Sequence, residues 1–214
     1  MKLFLFGGAE TDQGQAPILK QQINAIISEL KPKQLLHIPY ARTNVPSNEE
    51  YVWGDGWVKR DLNLNGIDLL DARSEDDIAR ANNPLVFING GGNSMILIEK
   101  LLENKKLHDL VTRAEYIIGE SAGSKVIAEF MPLNNDVKNA ITKGLGILKN
   151  TIIEPHYSQL KRQNKLRDEM KENNIQYGVG IDSITAIIID TDTYPKYETM
   201  GDGTVEFLDS NLLV

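Results

Sequence analysis

A serine set among small residues, Gly119-Glu120-Ser121-Ala122-Gly123, is the stretch of this chain best suited to carry chemistry. It fits the G-x-S-x-G pattern of a nucleophile on a sharp strand-to-helix turn, and its surroundings agree: the apolar run Tyr116–Gly119 predicts a strand before it, and Ala122–Phe130 predicts a helix after it. Such a turn holds the nucleophile in a strained backbone conformation, and the flanking glycines let neighbouring chain come close. The N–H of Ala122 then lies at a helix N-terminus, aimed at a developing oxyanion. The competing reading is a plain helix cap, a position serine also favours.

A second constellation, Ile88-Asn89-Gly90-Gly91-Gly92-Asn93-Ser94, also lies between a predicted strand and a predicted helix. Three successive glycines permit positive φ and close approach, so their N–H groups can converge on an oxygen anion, as an oxyanion hole requires. A phosphate-binding loop is the rival, but neither G-x-x-x-x-G-K-[ST] nor G-x-G-x-x-G is present. A structural turn is the third reading.

A serine nucleophile needs a general base, usually histidine. The chain has three. His37 falls inside a predicted strand and His108 in a charged helical stretch. His156, in Glu154-Pro155-His156-Tyr157, ends a predicted strand, where open α/β sheets place functional groups, and is the base favoured by position. A carboxylate must orient the imidazole, and here three candidates stay open. Asp182 follows a short strand and gives the chain order Ser, His, Asp; Asp136 lies in the loop after the elbow; Glu154 is two residues from His156.

The elements that must position these residues can be read from hydrophobic spacing. Short Val, Ile, Leu and Phe runs at Leu3–Phe6, Leu35–Ile38, Leu85–Asn89, Tyr116–Gly119 and Ile187–Asp190 predict buried strands. Helical spacing separates them, as in Ala16–Leu30 with Ile18, Ile23, Ile26, Ile27 and Leu30 on one side, in Tyr51–Leu64 and in Met95–Leu102. The alternation predicts an α/β fold, a mostly parallel sheet with helices on both faces. After about Asn150 a polar helix over Ser158–Asn173 and short strands at Gln176–Ile181, Thr185–Asp190, Tyr197–Met200 and Thr204–Leu208 predict a strand-rich C-terminal extension on the same sheet. No repeat or linker divides the chain, so one domain over 1–214 is expected.

The net charge of -7 and a pI near 5.1 argue against nucleic acid or an anionic membrane as partner. Without cysteine there is no thiolate nucleophile or disulfide, and the chemistry above calls for no cofactor and no metal. The first residues, with few apolar side chains before Gly7-Gly8, fall short of a signal-peptide core, so a cytoplasmic protein, monomeric or homodimeric, is expected.

Ile38-Pro39-Tyr40-Ala41, the glycine loop with Asn93-Ser94, the elbow with Ser124, Glu154-Pro155-His156-Tyr157 and Gly178-Val179-Gly180-Ile181-Asp182 occur in an order and at spacings that resemble those of the peptidase E (aspartyl dipeptidase) and cyanophycinase family of serine peptidases. The resemblance runs from Lys2 to about Asp190 and implies a class I glutamine amidotransferase-like, flavodoxin-like three-layer fold. It implies Ser121 as nucleophile, His156 as base, Gly91 or Gly92 with Ala122 as oxyanion hole, and a small peptide as substrate. Asn93 and Arg162 are then the expected substrate-binding residues, with Arg167 the alternative arginine for an acidic side chain. Cyanophycinase-like members carry Gly-Ile-Asp-Glu, the glutamate completing the triad, where this chain has Gly180-Ile181-Asp182-Ser183. Asp182 substitutes, Ser183 serves, or the acid lies elsewhere. An amidase or esterase with the same nucleophile, and a catalytically silent binding protein, are the alternative functions.

Overall fold

Phe4 and Phe6 point to one side of the first strand and Leu3 and Leu5 to the other, and all four are buried. That is the signature of a strand covered on both faces. The structure, a computed structural model, describes residues 1–44, 52–53, 56–133 and 139–212. In chain order its elements are β1 (Lys2–Phe6), α1 (Ala16–Leu30), β2 (Gln34–Ile38), β3 (Thr43–Asn44), β4 (Val52–Trp53), α2 (Trp57–Asp61), β5 (Asp68–Asp71), α3 (Glu75–Arg80), β6 (Leu85–Ile88), α4 (Ser94–Glu103), α5 (Lys105–Thr112), β7 (Tyr116–Glu120), α6 (Ala122–Lys125), β8 (Ala128–Pro132), β9 (Ile141–Lys143), β10 (Leu148–Pro155), α7 (Gln163–Glu172), β11 (Tyr177–Ile181), β12 (Ala186–Asp190), β13 (Glu198–Met200) and β14 (Val205–Asp209).

The first sheet has the order β13-β12-β1-β7-β6-β2-β5, with the last five parallel and β12 and β13 antiparallel at one side. One face packs on α1 and α2 through Leu19, Ile23, Ile26, Ile27 and Val58. The other packs on α3, α4 and α5 through Ile78, Leu97, Leu101, Leu107 and Val111. The buried stripe of α1 takes Leu19 where the spacing suggested Ile18, which is exposed; Leu19, Ile23 and Ile26 recur at intervals of four and three along the face turned to the sheet. Helix ends are fixed locally. Ser74 caps α3 by accepting from the N–H of Asp77, and Asn104 caps α5 by accepting from that of Leu107.

The C-terminal strands do not all extend this sheet, as the sequence suggested. β14-β11-β10-β8-β9 form a second, five-stranded sheet, and only β12 and β13 return to the first. The elbow helix expected to run to Phe130 stops at Lys125, and β8 begins at Ala128. Val126, Ile127 and Ala128 are consecutive and all buried, a run whose period does not distinguish a buried helix from a strand. One apolar cluster joins Leu3, Leu5 and Ile117 of the first sheet to Ile153, Val179 and Ile181 of the second. On the outer side of the second sheet α7 packs Leu166 and Met170 against Ile152 and Leu208. Of the helix expected over Tyr51–Leu64 the described part is α2; Tyr51, Gly54 and Asp55 lie outside the described residues. Among the described residues no helix is long and apolar enough to cross a membrane.

Candidate active site

The carboxyl ends of strands from both sheets meet at one place. β1 delivers Gly7 to Glu10, β6 the glycine loop, β7 Ser121, β10 His156, and β11 Asp182 and Ser183. Backbone hydrogen bonds tie these ends together: His156 N–H to Gly7 O at 3.1 Å, Gly7 N–H to Thr185 O at 3.0 Å, Ile184 N–H to Gly8 O at 2.7 Å and Ser121 N–H to Phe6 O at 3.0 Å.

Ser121 sits at φ 51, ψ -107, and His156 also has φ 51, a positive value that costs a non-glycine residue about 1–3 kcal/mol unless its surroundings enforce it. Here they do. Ser124 Oγ donates within reach of Phe6 O (2.7 Å) and Gly119 O (2.9 Å), clamping the turn, and a side chain on Gly123 would strike the carbonyl of Ile88. Ser121 occupies the cap position of α6, yet its side chain makes no cap hydrogen bond. Its Oγ lies 3.0 Å from His156 Nε2 instead. An imidazole at that distance can take the hydroxyl proton as the oxygen attacks.

The far nitrogen of the ring, Nδ1, meets Glu10 Oε1 at 2.6 Å and Ser183 Oγ at 3.0 Å, and the Ser183 hydroxyl donates to the same Glu10 oxygen at 2.8 Å. Burial opposes ionisation of Glu10, but the hydrogen bonds from Ser183 and His156 outweigh it and hold the carboxyl below its ordinary value. Asp182, the acid favoured by chain order, is not at the ring. Its two oxygens accept the backbone N–H groups of Ser158 (2.9 Å) and Thr204 (3.0 Å), so it staples the loops after β10 and before β14. Glu154 faces α7, and Asp136 lies outside the described residues.

Ala9, Thr11, Arg42, Gly91, Gly92, Ser94, Glu120, Ser121, Ala122, Lys125, Pro155, His156 and Arg162 line a cleft of about 400 Å³. Gly91 and Gly92 have φ of 131 and 130, closed to other residues, and Ala122 lines the same cleft. Glu120, the buried neighbour of Ser121, accepts the Gly90 N–H at 2.9 Å and stands 3.4 Å from Arg42, fixing the glycine loop to the turn at Ser121. Asn93, expected to touch substrate, caps α4: its Oδ1 accepts the N–H groups of Met95 (3.1 Å) and Ile96 (3.0 Å). Asparagine is a preferred N-cap residue, which accounts for the assignment.

Beneath the cleft lies a buried ionic cluster. Glu154 pairs with Arg162 and Lys165, and Lys125 Nζ is 3.9 Å from it. Lys165 also stands 3.1 Å from Glu169. Burial pulls the Lys125 ammonium down to about 8, with Glu154 opposing, and pushes the Glu169 carboxyl up to about 7, with Glu154 reinforcing. Arg162, expected to bind substrate, lines the cleft and is tethered to Glu154 and, at 3.2 Å, to Pro155 O. Arg167 pairs with Glu206. Among the described residues the charged side chains lining the cleft are Arg42, Lys125, Arg162 and Glu120, with Glu154 behind Lys125 and Arg162.

Glu10, Arg42 and Lys125 were absent from the sequence-based site. Glu10 had one available signal: it follows Gly7-Gly8 just beyond the first strand, the end where functional groups of α/β sheets collect.

A family model described as peptidase family S51 matches residues 3–196. The chain is 28% identical over 169 residues to a cyanophycinase of Synechococcus elongatus and to one of Thermosynechococcus vestitus, each alignment covering 71% of this chain and 52% of the relative. The chain thus spans about half the length of these curated relatives. Among solved structures, a peptidase from an acI-B1 Actinobacterium superposes with a TM-score of 0.65 at 20% identity, covering 97% of this chain and 90% of the other. A putative peptidase E protein from Listeria monocytogenes EGD-e gives 0.58 at 19% identity, covering 94% and 98%. At those identities the structural likeness speaks to the fold.

Proposed function

The chain belongs to peptidase family S51 and is by family a peptidase, and we propose that it cleaves small peptides bearing an acidic group through an acyl-enzyme on Ser121. The observation that carries this reading is the 3.0 Å approach of Ser121 Oγ to His156 Nε2 on two strained backbones at the mouth of the cleft. Ser121 attacks the scissile carbonyl while His156 takes its proton, and the N–H groups of the Gly91–Gly92 loop and Ala122 receive the oxyanion. The protonated imidazole then donates to the leaving amine, and water, activated by the same ring, hydrolyses the ester.

Three observations support the substrate class. The cleft volume of about 400 Å³ suits a ligand of a few residues rather than a folded protein. Its described lining includes Arg42, Lys125 and Arg162, each beside Glu120 or Glu154, and these are the groups that a substrate carboxylate would meet. The matched relatives bear the names cyanophycinase and peptidase E. A panel of dipeptides varied at the first residue tests the reading. Turnover concentrated on peptides with an N-terminal Asp or Glu, by at least roughly tenfold, and abolished in Ser121→Ala, is the expected result; a tenfold preference corresponds to about 1.4 kcal/mol, just under the about 1.5–3 kcal/mol that one hydrogen bond to a charged group contributes. Turnover that survives in folded Ser121→Ala would overturn it.

A further inference from the structure

Building on the Ser121–His156 reading, we propose that Glu10, from the loop after β1, is the positioning residue that orients His156 and balances its charge during proton transfer, and that Ser183 couples the two. The three polar atoms form a closed triangle: His156 Nδ1 to Glu10 Oε1 at 2.6 Å, Ser183 Oγ to that oxygen at 2.8 Å, and Ser183 Oγ to Nδ1 at 3.0 Å. Donors and acceptors in it are forced. A carboxylate only accepts, so both the ring N–H and the serine hydroxyl point at Glu10. The proton therefore resides on Nδ1, which leaves Nε2 bare and facing Ser121 Oγ at 3.0 Å, the tautomer a general base requires.

The placement is built rather than incidental. Glu10 is held at both ends of its backbone: its N–H donates to Gln15 Oε1 at 2.9 Å, and its carbonyl accepts from Gln13 (3.1 Å) and Gln15 (3.2 Å). Ser183 is buried and its N–H donates to Gln159 Oε1 at 3.1 Å. A hydroxyl at 183 is short enough to leave Nδ1 open to a carboxylate arriving from another strand. Asp182, one residue away, is already engaged by two backbone N–H groups and cannot turn to the ring without abandoning both. The carboxylate at the ring thus comes from the loop after β1, while the one in the loop after β11 is engaged by backbone.

The test needs no knowledge of the natural substrate. The rate of covalent labelling by a fluorophosphonate is followed by intact mass in wild type, Glu10→Gln, and Glu10→Gln/Ser183→Asp, with the folded state checked by circular dichroism. The imidazole N–H region of the proton NMR spectrum is recorded for each. Glu10→Gln is expected to label on the order of 10³–10⁴-fold more slowly, the loss seen when a triad acid is neutralised without changing shape. Its strongly deshielded ring proton should vanish. Ser183→Asp, which sets a carboxylate where Oγ is 3.0 Å from Nδ1, should restore labelling at least tenfold over Glu10→Gln and bring the signal back, a rescue that a merely structural Glu10 would not allow. Wild-type labelling rates in Glu10→Gln, or a wild-type spectrum lacking the deshielded proton, would overturn the proposal. Absence of labelling in wild type would instead overturn Ser121 as nucleophile, and the ring-proton signal would still decide the role of Glu10.

Discussion

His156 rests against the backbone of Gly8: a Cβ added to that glycine would stand 2.6 Å from both Nε2 and Cε1 of the ring and 3.2 Å from Ser121 Cβ. The first strand thus ends directly beneath the Ser121–His156 pair, and its glycine is there because no side chain fits and because φ is +102. Gly8→Ala is therefore expected to displace the imidazole. A shift of about 1 Å at a reacting group costs on the order of 10²-fold in rate. Peptide turnover in Gly8→Ala should fall at least that far, and wild-type turnover in that variant would mean the ring is not seated as described.

Glu120 is expected to matter through the glycine loop rather than through chemistry of its own. Removing its carboxylate in Glu120→Ala strands the Gly90 N–H and one partner of Arg42. An unsatisfied buried donor costs about 1–3 kcal/mol. Chemical denaturation should show a loss of that size, together with a drop in kcat on the order of tenfold or more as Gly91 and Gly92 lose their placement.

Asp182→Ala separates the two acids. It removes the acceptor of Ser158 N–H and Thr204 N–H, so about 1–3 kcal/mol of stability should be lost. Fluorophosphonate labelling should stay within about tenfold of wild type, because Asp182 does not reach the imidazole. A loss matching that of Glu10→Gln would return Asp182 to the role that chain order suggested.

The buried ionic cluster gives a pH signature. Burial holds the Glu169 carboxyl at about 7, above its ordinary 4.5. Between those values the native protein keeps a proton that the unfolded chain has released, so stability falls as pH rises through the window and stays low above it. Glu169→Gln removes the titration. Its Tm should exceed that of wild type by a few degrees at pH 8, and the difference should shrink towards pH 4.5; a Tm difference independent of pH would contradict the assignment.

The parts of the fold governed by local pattern were legible in the sequence. α1 spans Ala16–Leu30 as its spacing indicated, and the strands at Leu3, Leu35, Leu85 and Tyr116 are the parallel core of the first sheet. What could not be read depended on choices local pattern does not make. Val126 to Ala128 is apolar without a diagnostic period, so the chain turned into β8 and opened a second sheet where a helix was expected. In the site, the flanking glycines drew Ser121 and the strand end drew His156 from the sequence, and the structure places their side chains 3.0 Å apart. Glu10 lies 146 positions from His156, and its place just beyond the first strand marks it only as one of many strand-end residues; the pairing of β1 with β7 and the approach of β11 bring it to the ring. Asn93 and Asp182 carried plausible functional residue types and turned out to satisfy backbone N–H groups, the commoner use of such side chains at turns.

The nucleophile itself is tested most directly by locating a covalent adduct. Wild-type protein treated with a fluorophosphonate, digested and sequenced by mass spectrometry should carry one modification, on Ser121 in the peptide containing Gly119 to Gly123, and that mass should be absent from Ser121→Ala and strongly reduced in His156→Ala. An unmodified Ser121 in folded wild-type protein, or a stable adduct on another residue that persists in Ser121→Ala, would contradict Ser121 as the nucleophile.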